Sequence, residues 1–180
     1  MERKKIGLVA LFTVFLINTA FSDSSDYKES ENVQNKARKT VNLDGKWQFK
    51  LDPEAAGVEQ HWYKDDVVFN EDIIVPGAWM AQGYGEDFST VRHRYVGKAW
   101  YERNIQIPHF DESTDIFLYF GGVRRIAKVW INGNYLGEHV GYVSDFEYDI
   151  TKYVQPGSPA VLAVEVDSTH REEVDPLMGS

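Results

Sequence analysis

No cysteine occurs anywhere in the 180-residue chain. That excludes disulfides, thiol nucleophiles and thiolate-held metals, so packing alone must hold whatever fold forms. The longest apolar run, residues 6–17, is about a dozen residues against the ~20 that cross a bilayer. Positive charge is also scarce: 19 Lys and Arg face 28 Asp and Glu, for a net charge of −9. With no Lys/Arg cluster to offset it, an acidic chain of this kind repels nucleic acid and anionic lipid. The five histidines, His61, His93, His109, His139 and His170, are scattered without metal-ligand spacing. There is no G-x-S-x-G elbow, P-loop or G-x-G-x-x-G fingerprint. Glycosidic hydrolysis needs two carboxylates fixed across a sugar bond, ~5–5.5 Å apart for retention and more for inversion. Among 28 acidic residues nothing marks out such a pair, and Asp65-Asp66 and Asp111-Glu112 read as solvated loop acids. No catalytic residue, metal or cofactor is therefore assigned.

What is present begins with a leader-like start. Arg3, Lys4 and Lys5 precede the apolar run, and Ala20 and Ser22 place small residues at −3 and −1 of a cleavage site. Residues 1–22 thus read as a secretory signal peptide cleaved after Ser22, giving a secreted or periplasmic protein with no membrane attachment; an uncleaved anchor is the alternative reading. Losing a leader of charge +2 takes the chain from −9 to −11. Residues 23–41 form a polar linker with little to bury, and residues 42–180 form the folded domain, with structure starting near Val41.

Within that domain the periodicity is two. Residues 46–51, 146–150 and 161–166 alternate apolar with polar, the pattern of half-buried strands. Residues 116–120 are apolar on both faces, as suits a central strand. Residues 73–75 are a short strand stopped by Pro76-Gly77. In residues 100–107, Tyr101, Ile105 and Ile107 share a side with Arg103, which requires a partner there. Asn132-Gly133 supplies the two positive-φ positions of a type I′ hairpin. A second turn, residues 155–159, precedes the last strand. Only residues 54–63 suit a helix, a short one because of Gly57. Many short strands with frequent turn signals indicate an all-β sandwich or barrel. The aromatics, 5 Trp, 10 Tyr and 10 Phe, suit a packed core or a sugar-stacking surface.

Several motifs then fall in one order: Leu43-Asp44-Gly45-Lys46-Trp47-Gln48-Phe49, Val75-Pro76-Gly77-Ala78-Trp79, Trp100-Tyr101-Glu102-Arg103, and Phe120-Gly121-Gly122-Val123 leading to Val129-Trp130-Ile131-Asn132-Gly133. Gly137-Glu138-His139 and Leu162-Ala163-Val164-Glu165-Val166-Asp167 follow. In order and spacing this series resembles the N-terminal sugar-binding domain of glycoside hydrolase family 2, which includes β-galactosidases, β-glucuronidases and β-mannosidases. The resemblance implies a jelly-roll β-sandwich, galactose-binding-domain-like, at the start of a longer enzyme whose immunoglobulin-like and (β/α)₈ barrel domains follow, the barrel carrying both catalytic glutamates. The chain stops before those domains and before the Gly-Gly-Ile-x-Arg type strand that normally closes the sandwich, so a missing last strand and an open edge are expected. After Gly141 the sequence runs Tyr142-Val143 where the family keeps a second glycine, so that turn is expected to differ. Asn70-Glu71 imitates the barrel's Asn-Glu dipeptide but lies inside the sandwich, and it receives no catalytic role.

The resemblance also implies that the loop before the Trp-Tyr-x-Arg strand can reach substrate. Here Arg92, Arg94, Tyr95 and Lys98 are the sugar-contact candidates, against the alternatives of an exposed basic loop or one docked on other domains. Trp79 and Trp100 suit either sugar stacking or the core. The partners implied are a β-glycoside and the missing or separate catalytic domains. Three functions remain open: the non-catalytic N-terminal domain of a secreted glycosidase, inactive alone; a stand-alone secreted carbohydrate-binding module; and a non-catalytic partner that completes another glycosidase chain.

Overall fold

A computed structural model describes residues 4–10, 38–64, 67–89, 92–141 and 144–169. Twelve strands occur among them: β1 (Lys4–Ala10), β2 (Arg38–Asn42), β3 (Gly45–Asp52), β4 (Glu71–Val75), β5 (Glu86–Ser89), β6 (Arg92–Arg94), β7 (Lys98–Gln106), β8 (Thr114–Phe120), β9 (Arg125–Ile131), β10 (Asn134–Gly141), β11 (Phe146–Asp149) and β12 (Pro159–Asp167). Two sheets face each other, one ordered β11-β8-β1-β2 and the other β10-β9-β12-β7-β3-β4, with β5-β6 a separate ribbon. This is the all-β sandwich that the alternation requires.

The alternation sets which side chains enter the core. On β3, Trp47 and Phe49 point inward while Lys46 and Gln48 face solvent. On β12, Leu162, Val164 and Val166 join the same core, and Ala163 and Glu165 lie on the opposite face. β8 lies inside its sheet, with Ile116, Leu118 and Phe120 buried and Phe117 and Tyr119 half-buried behind them. β4 ends at Val75, where Pro76-Gly77 turns the chain. Arg103 finds its partners in the backbone carbonyls of Leu43 and Asp44 while its guanidinium lies over Trp47. The β9–β10 hairpin turns at Asn132 and Gly133, both at positive φ (49° and 75°), as type I′ demands. The Asn132 side chain also accepts from the Val161 N–H and donates to the Tyr153 carbonyl, fixing the hairpin to the start of β12.

Two regions differ from the sequence reading. Residues 54–63 form a series of turns, with Ala55 and His61 at positive φ, instead of a helix. The cause is Asp52, whose carboxylate accepts the Ala56 and Gly57 N–H groups and so competes with helical pairing. The turns form a roof over the outer face of the larger sheet. Beneath it Trp62, Phe69, Trp100, Trp130 and Ala163 make a second apolar cluster, Trp100 stacked on Trp130 and Trp130 on Tyr63.

The other difference is at the N-terminus. Lys4–Ala10, read as part of the leader, is a strand inside the smaller sheet, and Arg38–Asn42, read mostly as linker, is its neighbour. Ile6 and Leu8 are buried in the main core. An apolar run behind a basic start satisfies a leader and a buried strand equally well, so local sequence does not separate them. The smaller sheet therefore contains a strand that the family resemblance does not supply. Residues 11–37 and the 142–143 turn lie outside the described residues.

Candidate functional site

The loop singled out from sequence connects β6 to β7, and the structure divides its four candidates. Arg92 lies on β6, with its side chain outside the described part. Arg94 is exposed at the end of that strand. Tyr95 is half-buried: its hydroxyl donates to the Lys98 carbonyl at 2.7 Å, its ring meets Trp79 edge-on, and its own carbonyl accepts the Trp79 indole N–H. Burial, and then the charge of Asp52, pushes its phenol above the ordinary value, so it stays a neutral donor. Lys98 points to the outer face of the larger sheet, where its ammonium lies 3.4 Å from Glu165, which Lys128 also approaches at 3.6 Å. Gly97 binds the loop to the end of β12 through Ser168, its N–H donating to the Ser168 hydroxyl and its carbonyl accepting the Ser168 N–H. The loop is thus pinned at Tyr95, Gly97 and Lys98, and among its described side chains Arg94 and Val96 are presented to solvent.

Beside this loop opens a cavity of about 160 Å³. Trp79, Tyr101, Val123 and Val166 supply its apolar lining, and the exposed Met80 and Val96 stand with them. Arg124 and Arg125 give it a cationic side. Arg125 holds a positive φ of 82° and donates from its guanidinium to the Ser168 carbonyl, which ties the start of β9 to the end of β12. The described lining holds no carboxylate. Guanidinium forks suit carboxylate or hydroxyl groups, and an apolar wall suits the face of a ring or another protein surface. This cavity was missed from sequence, although the doubled glycine followed by a doubled arginine, residues 121–125, was its local signal in an acidic chain.

Trp79 and Trp100 are 7% and 0% exposed, so both pack, and Trp79 reaches the cavity wall with only a small part of its surface. The buried carboxylates are spent on the fold. Asp52 holds the roof and the Trp100 indole, Glu165 holds two lysines, and Asp167 accepts from the Thr169 N–H and hydroxyl. Glu102 is buried on the outer face of β7 between its β3 and β12 neighbours. Glu71 stands exposed at the start of β4, an edge strand, across from Phe49.

Residues 40–174 match the family model described as glycosyl hydrolases family 2, sugar binding domain. The chain is 33% identical over 130 residues to a β-glucuronidase of Canis lupus familiaris, covering 67% of the chain and 19% of that protein. It is 29% identical over 175 residues to a β-galactosidase of Clostridium acetobutylicum, covering 85% of the chain and 19% of that protein. Among solved structures, the β-glucuronidase of Ruminococcus gnavus in complex with uronic deoxynojirimycin superposes with a TM-score of 0.64 at 26% identity, over 72% of this chain and 22% of that one. Across these and similar relatives, the chain spans between 12% and 22% of their length.

Proposed function

The chain belongs to glycoside hydrolase family 2 through its sugar-binding domain, and on that premise we propose that it is a non-catalytic domain serving a glycosidase of the β-glucuronidase or β-galactosidase kind. The hydrolytic chemistry then belongs to a catalytic part outside the sandwich. One observation carries this reading: the described lining of the cavity beside the candidate loop presents two arginines and no carboxylate, while the buried carboxylates among the described residues, Asp52, Glu102, Glu165 and Asp167, are held within the fold. A retaining or inverting site needs two carboxyl groups facing one sugar bond. The apolar lining with Met80 and Val96 suits contact with another part of such an enzyme. The leader-like start supports export of the protein, with cleavage after Ser22 removing the strand that Lys4–Ala10 forms in the full chain.

A stand-alone carbohydrate-binding module is the second reading, favoured by the exposure of Arg94 next to Tyr95. Calorimetry against a panel of β-linked glucuronides and galactosides separates the two. A domain that acts only beside its catalytic part gives flat isotherms. Saturable binding that is lost in Arg94→Ala would establish the module instead.

A further inference from the structure

In an otherwise antiparallel sandwich, β1 is parallel to both of its neighbours, pairing Gly7 with Thr40 of β2 and with Phe117 of β8. Remove it, and β2 and β8 stand about 10 Å apart, twice the ~4.8 Å spacing of paired strands, β8 with one backbone edge unpaired and β2, the outermost strand, without its ladder partner among the described residues. The gap has the dimensions of one strand. Its inner side is apolar, because Ile6 and Leu8 project from β1 into the main core. Its outer side asks little of its occupant. On it Lys5 lies over the Phe117 ring, and a Cβ on Gly7 would meet nothing within 4 Å among the described residues; Lys4, in line with Ile6 and Leu8, ends the inner row in an exposed ion pair with Asp111. Among the described side chains, recognition thus comes down to two apolar residues at alternate positions, and the backbone ladder does the rest.

We infer that the gap between β2 and β8 is a strand-acceptance site, with Lys4–Ala10 as its resident occupant, and that it takes a free extended segment of the same pattern when the resident is absent. This is β-strand addition in the interior of a sheet, with the ladder giving affinity and two apolar pockets giving selectivity. The leader-like character of the resident gives this site its consequence: cleavage after Ser22 would vacate it. The inference stands apart from the glycosidase reading, since it rests on sheet pairing alone.

Two variants of the full chain test it. Gly7→Cys with Thr40→Cys joins register partners on one face of adjacent strands, within disulfide reach, in a protein with no other cysteine. Ile6→Asp with Leu8→Asp drives the resident strand out, because two carboxylates cannot occupy the core unpaired. The probe is a labelled peptide, Lys-Lys-Ile-Gly-Leu-Val-Ala, and its control carries Asp in place of Ile and Leu. The disulfide should form on oxidation, and a bond linking two chains still places the strand in the site, donated by a second copy. The probe should bind the aspartate variant one to one, at least tenfold tighter than it binds the oxidised cysteine variant, and the control should not bind. If the aspartate variant unfolds, the probe should restore its melting transition. No disulfide, or neither binding nor restoration by the probe, overturns the inference.

Discussion

Asp52→Ala is expected to lower stability by about 4 kcal/mol, read as a fall in the denaturation midpoint at unchanged slope. Asp52 ends β3 at 1% exposure. One carboxylate oxygen accepts the Ala56 N–H at 2.8 Å, and the other accepts the Gly57 N–H at 2.9 Å and the Trp100 indole N–H at 3.0 Å. Alanine would leave these three donors without their acceptor in the lower layer of the roof, each orphan costing about 1–3 kcal/mol less whatever water recovers. Collapse cannot close the space, because Gly57 already sits so near that a Cβ there would lie 2.2 Å from the Trp100 indole nitrogen. Asp52→Asn keeps the shape but turns an NH₂ toward at least one donor, so its cost should be about half. Since Trp62, Trp100 and Trp130 share the cluster under the roof, tryptophan emission should shift to the red before global unfolding. A cost of Asp52→Ala below 1 kcal/mol would mean that this network does not hold the roof.

Trp47→Ala is expected to cost about 4 kcal/mol, chiefly as a cavity in the main core. Trp47 is 1% exposed, its indole N–H donates to the Leu43 carbonyl at 2.9 Å, and the Arg103 guanidinium lies 5.7 Å from the ring centroid. Truncation removes the largest side chain of the inner face of β3 and the surface on which Arg103 rests. Trp47→Phe should cost about 1–2 kcal/mol, because most of the volume survives and Arg103 still donates to the Leu43 carbonyl. Against a total stability of about 5–15 kcal/mol, the alanine variant approaches the unfolding threshold. Equal costs for the two variants in urea unfolding would show that volume does not control this site.

Much of the larger sheet was legible because its signals are local. Alternation in residues 46–51 and 161–166 places Trp47, Phe49, Leu162 and Val164 inward, and Asn132-Gly133 fixes a hairpin without reference to the rest of the chain. Arg103 among apolar neighbours announced a partner, and the structure supplies two carbonyls. What the sequence leaves open is non-local. β1 pairs with segments far away in sequence, and nothing within residues 4–10 shows whether they leave as a leader or stay as a strand. The turns of residues 54–63 depend on a carboxylate that precedes them and on tryptophans from β7 and β9. At the candidate loop, the sequence displays residue types suited to sugar contact, but Lys98 is turned away by Glu165, 67 positions downstream. Arg124 and Arg125 reach the cavity only because β9 and β12 are neighbours.

The most direct test of a non-catalytic domain is hydrolysis by the purified full chain of chromogenic β-glucuronide and β-galactoside substrates. The expected result is release no faster than in buffer, at any protein concentration, from a chain whose melting transition shows that it is folded. Release proportional to protein concentration, and lost on heating through that transition, would contradict it.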